Sequence, residues 1–339
     1  MSLSIYFVKP GDTSIAGENS SFIEALEHVA NSMSGIRVMN KPDTADVVLI
    51  DERYQYRTWH YADDLARCRI VRRHIDRIYV INHDDYARPF LPGLYVSLEA
   101  SRPPLVDALP IPYKWDLWHV PAPVKFDFQP EQLFAFRGTF HTHPVRKKIC
   151  RVLSQSGLGT CEELRKEFHD HSEDDQQSYI KGIQSARFSL CPRGLSPSSY
   201  RLYESMQLGR CPVVISDDWI APPGPDWDSF TIFVSESEVK NLPMILMDEF
   251  ECAESYGRLA YDTWKEFFSW PRRWLYFIEQ ICHLKDNQRE DYKFDRLYEL
   301  WTGSLFRRRY RWTLLGRAQQ LVGRKLSALI SRPVFTVNS

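Results

Sequence analysis

The 339-residue sequence contains no run of about 18 consecutive apolar residues, which is the length that a transmembrane helix requires. Nor does it open like a signal peptide, because the apolar stretch Ser4–Val8 is short and is followed at once by Lys9 and Pro10. We interpret this stretch as a first β-strand. A surplus of one charge sign is also missing, since the formal net charge is −1, and this argues against a nucleic-acid partner.

Cysteine pairs at short spacing are absent as well. The seven cysteines are odd in number and scattered along the chain, and none belongs to a C-x-x-C pattern. This usage argues against a disulfide framework and against a zinc ribbon. It favours reduced, mostly buried thiols in a cytoplasmic protein.

Two short histidine motifs, His141-Thr142-His143 and His169-Asp170-His171, raise the question of a metal site. Neither motif has a third ligand at a spacing known for metals, so we interpret these histidines as polar loop residues and expect no metal or other cofactor. An alternative interpretation places His141 or His143 beside a ligand site, because both closely follow Gly138.

Apolar and aromatic residues are plentiful, at 43% and 14%, which is enough for two cores. Strand and helix patterns alternate in the first third of the chain and again after residue 131. Because such alternation is typical of parallel sheets covered by helices, we predict an α/β protein with two Rossmann-like domains that face each other across a cleft. The predicted divisions are an N-terminal domain at 1–115, a proline-rich linker at 116–130, a C-terminal domain at 131–300 and a basic C-terminal helix at 301–339.

The apolar periodicity gives approximate positions for the elements. Predicted strands lie at 4–8, 47–50, 77–82, 95–97, 133–136, 187–191, 212–215 and 231–234. Predicted helices lie at 22–30, 60–72, 144–155 and 198–208, and helical periodicity dominates from 237 to 300.

The segment 185–219 carries the most chemical information. Its strand, Phe188 to Cys191, ends at a turn containing Gly194, and Ser196 and Pro197 have the residue types of a helix N-cap and first helical position. Backbone N–H groups at such a helix start attract anions, because no carbonyl of the helix pairs with them.

Side chains around this helix start strengthen the prediction of an anion site. Ser198 and Ser199 add hydroxyl groups, and Arg193 and Arg201 add guanidinium groups, which suit phosphate oxygens. Glu204 follows Arg201 on the same helix face, a suitable acceptor for hydrogen bonds from ribose hydroxyls. The unit is therefore suited to a nucleotide diphosphate. The alternative is an ordinary strand–loop–helix connection with a surface Arg201–Glu204 pair.

The same segment resembles the signature of the exostosin family, glycosyltransferase family 47. That signature runs in outline from C-P-x-G through S-x-R-x-x-E and G-x-x-P-V-I with an acidic residue to D-W-x-x-F. The residues that match it in order are Cys191-Pro192-Arg193-Gly194, Ser199, Arg201, Glu204, Gly209, Pro212-Val213-Val214-Ile215, Asp217 and Asp226-Trp227-Asp228-Ser229-Phe230. An ordered match over about 50 residues is far more specific than a lone glycine motif, and it lies mainly in the second predicted domain.

The resemblance implies a GT-B fold and transfer with inversion from a nucleotide-sugar donor, expected to be a UDP-sugar, that the C-terminal domain holds. The acceptor, on the N-terminal side, is expected to be a saccharide or glycolipid of a surface or exported glycan. The resemblance also gives weight to Gly138, whose turn lets backbone approach a ligand, and to Arg146. The alternative for Arg146 is a solvated residue in a basic run with Lys147 and Lys148. The predicted donor-binding residues are Gly138, Arg146, Arg193, Gly194, Ser198, Ser199, Arg201 and Glu204.

Inverting transfer requires a base for the acceptor hydroxyl, and we expect it from the first domain across the cleft. Asp51 follows one predicted strand, and His83, Asp84 and Asp85 follow another. A histidine titrates near neutral pH, and burial raises the pKa of a carboxyl group toward it, so Asp84, His83 and Asp51 are the predicted catalytic candidates. The alternative is that these residues cap loops and turns.

The last 39 residues carry eight basic side chains and no acidic one, with apolar residues on one helical face. A basic amphipathic helix over 303–332 suits an anionic membrane surface, as a peripheral contact at the inner membrane face. The alternative is a helix that packs on the core. Two further functions stay open: a non-catalytic nucleotide- or carbohydrate-binding protein of the same fold, and a membrane-surface scaffold that uses the basic tail.

Overall fold

The computed structural model describes residues 3–18, 20–53, 55, 61–114, 130–164, 172–289 and 291–310. Of the predicted linker only residue 130 falls within these ranges. The basic tail beyond residue 310 and the motif His169-Asp170-His171 lie outside them.

A first parallel sheet occupies the N-terminal part of the described chain. Its strands are β1 (Leu3–Phe7), β2 (Ile36–Val38), β3 (Val47–Asp51), β4 (Ile78–Asn82), β5 (Gly93–Tyr95) and β6 (Ala108–Pro110). They lie in the order β2-β1-β3-β4-β5-β6. Every residue of β3 and β4 is buried, as expected for continuous apolar runs covered on both faces of a parallel sheet.

A second parallel sheet follows. Its strands are β7 (Gln132–Gly138), β8 (Gly159–Glu163), β9 (Ala186–Pro192), β10 (Cys211–Ile215) and β11 (Ile232–Phe233), in the order β11-β10-β9-β7-β8. In each sheet the first strand lies between the second and the third. This strand order opens a crevice at the carboxyl ends, between β1 and β3 and between β7 and β9, where ligands bind in folds of this kind.

Helices connect the strands and cover the sheets. They are α1 (Ser20–Ser32), α2 (Tyr61–Arg67), α3 (Arg69–His74), α4 (Pro144–Leu153), α5 (Glu173–Gln184), α6 (Tyr200–Gln207), α7 (Leu242–Asp248), α8 (Ala253–Thr263), α9 (Arg272–Asp286), α10 (Phe294–Thr302) and α11 (Ser304–Arg309). Their starts follow local chemistry. Pro144 opens α4, as predicted, and Ser172 with Asp175 forms a capping box at α5.

The last three helices pack on the first sheet. Helix α9 lies against α1, β5 and β6, and α10 lies beside α2. Trp301 and Phe306 are buried near Phe90, and the Trp301 indole N–H donates to the Phe90 carbonyl at 2.7 Å. The chain therefore crosses back to its first half before residue 300, where the sequence predicted the end of the second domain.

The predicted α/β class with two parallel sheets is confirmed, but several elements differ in detail. The helix predicted at 198–208 begins at Tyr200, so Ser199 rather than Ser196 is its N-cap. The predicted helix at 60–72 is the two short helices α2 and α3. Strands β2, β6 and β8 and helix α5 were not predicted. Strands β2 and β6 have only three residues each and β8 is largely exposed, so none of them shows a long buried apolar run.

The cysteines differ from the expectation of reduced thiols. Cys150 of α4 and Cys161 of β8 form a disulfide, which the scattered spacing did not reveal because it depends on the two elements packing side by side. The other five cysteines are free. The cytoplasmic location, which rested on the same pattern, stays a prediction.

Candidate functional site

A cavity of about 520 Å³ lies between the two halves, a volume that suits a small-molecule ligand. Loops after β4 and β5 form one wall, and loops after β7 and β9 with the start of α4 form the other. Its polar and charged lining residues are Asp85, Tyr86, Arg88, Ser97, Glu99, Arg102, His141, Thr142, His143, Lys147, Arg193 and Tyr310. The cavity thus lies at the carboxyl ends of strands of both sheets.

Arg146, in the first turn of α4, joins the ends of β7 and β9. Its Nε donates to the Arg193 carbonyl at 2.9 Å, its Nη1 to the Thr139 carbonyl at 3.1 Å and its Nη2 to the Pro192 carbonyl at 3.3 Å. The residue is only 8% exposed. Burial, and then the nearby charge of Arg201, lowers the pKa of Arg146 to about 9. The interpretation of Arg146 as a solvated residue of a basic run is therefore wrong.

Arg201, in the first turn of α6, contacts the end of β7. It donates to the Arg137 carbonyl and lies 4.7 Å from the centre of the Phe136 ring and 5.5 Å from that of Tyr179. It is 9% exposed, so the interpretation as a surface pair with Glu204 is also wrong.

Two glycines allow these guanidinium groups to approach the backbone. A Cβ atom at Gly138 would lie 3.0 Å from Nη2 of Arg201, and one at Gly194 would lie 2.8 Å from Nη2 of Arg146. Within the described residues neither arginine forms an ion pair with a carboxylate. Two buried cations placed together without a counter-charge favour the binding of an anion.

Arg193 and Gly194 are the predicted donor-binding residues that line the 520 Å³ cavity. Nη1 of Arg193 lies 3.0 Å from Asp218 and 3.6 Å from Glu236, so acidic side chains already balance its charge. Asp218 also accepts a hydrogen bond from the backbone N–H of Ser101 at 3.1 Å. Arg193 and Asp218 therefore link the second half of the protein to the loop after β5.

The predicted serines and Glu204 lie at or beneath the start of α6. The Ser198 N–H donates to the Ser196 hydroxyl at 3.1 Å, and Ser199 caps α6 without a side-chain hydrogen bond. Glu204 is 2% exposed and accepts a hydrogen bond from the Tyr179 hydroxyl. It does not line the 520 Å³ cavity.

The three predicted catalytic residues do not line the cavity. Asp51 is buried and paired with Lys114 at 3.1 Å; burial raises its pKa, and Lys114 opposes that rise. His83 lies among aromatic rings, 5.5 Å from Phe22, and burial holds its pKa well below the usual value. Asp84 accepts hydrogen bonds from the backbone N–H groups of Gln55 and Tyr86, at 3.1 Å and 3.0 Å, as a loop-capping residue does.

Within the described part of the first half, the acidic residues that line the cavity are Asp85 and Glu99. Asp85 is one of the residues that follow the predicted strand at 77–82. It accepts a hydrogen bond from the Tyr113 hydroxyl at 2.9 Å. Glu99 was missed. Burial raises its pKa, and Arg102, paired with it at 3.1 Å, opposes that rise. Its place soon after β5 is the signal that could have identified it, since the strand was predicted at 95–97.

The alternative placement of His141 and His143 beside a ligand site agrees with the geometry, since both line the cavity. Nδ1 of His143 accepts the Val145 N–H at 3.3 Å and caps α4. Burial, followed by the charges of Arg193 and Arg146, lowers the pKa of His143 to about 4, so this ring is neutral at physiological pH. The described residues contain no group of three or more metal-ligating side chains placed to share an ion.

The fold and the cavity define a two-sheet α/β protein with a ligand cleft at the strand ends. Residues 125–248 match the family model "Exostosin GT47 domain". Similar curated proteins include a probable glucuronosyltransferase of Oryza sativa subsp. japonica, 40% identical over 79 residues, which are 23% of this chain and 19% of the relative. Another is an exostosin-1 homolog of Caenorhabditis elegans, 39% identical over 80 residues, 23% of this chain and 21% of the relative.

A probable beta-1,4-xylosyltransferase of Arabidopsis thaliana is 39% identical over 79 residues, 23% of this chain and 19% of the relative. The matched segments thus span about a fifth of each relative's length. Among solved structures, Acinetobacter baumannii MurG aligns with this chain at 11% sequence identity and a TM-score of 0.33. The alignment covers 83% of this chain and 99% of the MurG chain. Residues 125–248 of this chain are therefore similar to the exostosin GT47 domain, as the sequence resemblance predicted.

Proposed function

We propose that the protein is an inverting glycosyltransferase that moves a sugar from a UDP-sugar to a saccharide acceptor in the synthesis of a surface or exported glycan. The GT47 domain and the transferase names of its relatives support the reaction class. The observation that carries the proposal is the pair Arg146 and Arg201, two buried guanidinium groups with no carboxylate partner among the described residues. Arg146 lies directly behind the 520 Å³ cavity, because it donates to the carbonyl of the lining residue Arg193, and Arg201 lines a smaller cavity of about 110 Å³.

The arginine pair supplies what the departing nucleotide needs. Negative charge grows on the diphosphate as the bond to the sugar breaks, and fixed cations stabilise that charge without reorganising. The backbone bonds of Arg146 hold its guanidinium in place before the substrate arrives. We therefore propose that departure requires no metal ion.

The acceptor enters from the first half. Its hydroxyl attacks the sugar from the face opposite the diphosphate, which gives inversion, and a carboxylate of the first half takes the proton. The relatives named glucuronosyltransferase and xylosyltransferase make UDP-glucuronic acid and UDP-xylose the first donors to try.

Calorimetric titration with UDP and UDP-sugars, together with assays of UDP release, tests the proposal. Removal of one charge-assisted hydrogen-bonding group costs about 1.5–3 kcal/mol, so Arg201→Ala should weaken UDP binding by about 10- to 100-fold. Arg187→Ala is the matched control, because Arg187 stacks on Phe250 and takes no part in the contacts described for Arg146 and Arg201. Equal UDP affinity in wild type and R201A would contradict the donor site, and binding without UDP release would favour the non-catalytic alternative.

A further inference from the structure

The transfer proposed above requires a group that receives the proton of the acceptor hydroxyl. Among the residues that the structure describes, Asp51, His83 and Asp84 do not line the cavity, and the carboxylates of the first half that do are Asp85 and Glu99. We therefore compare the carboxylates of Asp85 and Glu99 as the base. This assignment rests on the proposed function.

Asp85 is engaged in the contact between the two halves. The Tyr113 hydroxyl donates to it at 2.9 Å, and the Tyr113 ring stacks on Tyr200 of α6 with centroids 3.6 Å apart. The charge of Asp85 also favours the charged form of the Arg146 guanidinium. These contacts fit a residue that holds the donor site in shape.

Glu99 lines the cavity, and its neighbours hold the loop that carries it. The N–H groups of Ala100 and Ser101 donate to Asp218, at 3.0 Å to its carbonyl and 3.1 Å to its carboxylate. Asp218 pairs with Arg193, whose carbonyl holds Arg146. The loop that carries Glu99 is thus tied by a short chain of contacts to the proposed diphosphate site.

We propose that Glu99 is the general base of the transfer. As the acceptor oxygen forms its bond to the anomeric carbon, the bond from that carbon to the diphosphate oxygen breaks and its electron pair leaves with UDP. The hydroxyl proton passes to the Glu99 carboxylate. Arg102, paired with Glu99 at 3.1 Å, orients this carboxylate, and the partial burial of Glu99 increases its basicity.

Glu99→Gln tests the assignment, because glutamine keeps the shape of the side chain but cannot accept the proton. We expect turnover, measured as UDP release with acceptor present, to fall by about 10²- to 10⁴-fold, the contribution typical of a general base. The Kd for UDP should change by less than about twofold, since the lost group does not touch the diphosphate. The wild-type rate should also rise with pH through the pKa of Glu99, and E99Q should lack this rise.

Asp85→Asn is the comparison variant, and we expect it to weaken UDP binding more than E99Q does. If E99Q melts at a lower temperature, Glu99→Asp, which keeps a carboxylate, should retain more turnover than E99Q. If the wild type is active and the turnover of E99Q lies within about threefold of the wild-type turnover, the assignment of Glu99 is overturned but the proposed function is not. A wild type that binds UDP but releases none from any UDP-sugar would overturn the proposed function and the assignment with it.

Discussion

At the scale of single residues, two glycines determine how close the paired guanidinium groups come to the strand ends. Gly138 leaves room for Arg201, and Gly194 leaves room for Arg146, at distances where a Cβ atom would be in collision. In both cases the nearest atom belongs to the end of an arginine side chain that is hydrogen-bonded to backbone carbonyls. A side chain at either position should therefore displace a guanidinium group rather than disrupt the backbone.

Gly194→Ala should accordingly weaken UDP binding by about 10-fold and lower the free energy of unfolding by about 1–3 kcal/mol, the usual cost of adding a methyl group to a packed site. Calorimetry and urea unfolding measure the two effects. Gly182→Ala is the matched control, because a Cβ atom at this helical glycine would have no heavy atom within 4 Å. A loss of UDP affinity in G182A equal to that in G194A would argue against the displacement of Arg146.

At the scale of elements, a buried carboxylate joins the end of the first sheet to its helices. Glu52 follows β3 and accepts hydrogen bonds from the Tyr61 hydroxyl of α2 at 2.6 Å and from Asn82 of β4 at 2.6 Å. Burial raises the pKa of Glu52 to about 7, and these hydrogen bonds oppose the rise. The folded protein therefore holds a proton here at pH values where the unfolded chain has lost it.

The resulting pH dependence has a definite sign. Because the folded-state pKa is above the unfolded value, stability should fall as pH rises between the two values and level off above the folded one. Glu52→Gln should reduce this fall by about 2–3 kcal/mol between about pH 5 and about pH 8. Urea unfolding at both pH values measures this difference in the free energy of unfolding. Glu24→Gln is the control, because Glu24 is exposed. The same pH dependence in wild type and E52Q would contradict the assignment.

The elements that sequence patterns located correctly are those with uninterrupted apolar runs or clear helix starts. Buried strands such as β3 and β4 and the proline-opened α4 were predicted close to their observed bounds. Edge strand β8, with the sequence GTCEE, is largely exposed and carries no such signal. Its existence depends on pairing with β7, which no local pattern encodes.

At the scale of the whole molecule, helices from the end of the described chain cover the first sheet and end beside the cavity. Phe306 and Tyr310 are buried, and Tyr310 also lines the cavity. No described helix has the length and apolar character needed to cross a membrane. The residues after 310 carry five basic and no acidic side chains.

The charge of this tail predicts an electrostatic membrane contact, since each basic residue near an anionic surface contributes about 1 kcal/mol. The full chain should float with phosphatidylglycerol vesicles and not with phosphatidylcholine vesicles. A chain without residues 311–339 should lose this binding and keep its melting temperature, because Phe306 and Tyr310 remain. Equal flotation of both chains would show that the tail is not the membrane contact.

The sequence by itself determined the α/β class and the exostosin-like resemblance, because both are encoded locally, in apolar periodicity and in an ordered motif. The disulfide, the counter-ions of Arg193 and the identity of the carboxylates that reach the cavity were decided only by tertiary structure. The physical reason is the same for all three. Each depends on contacts between segments far apart along the chain, such as Asp218 with Ser101, and their geometry exists only after the two halves have packed together.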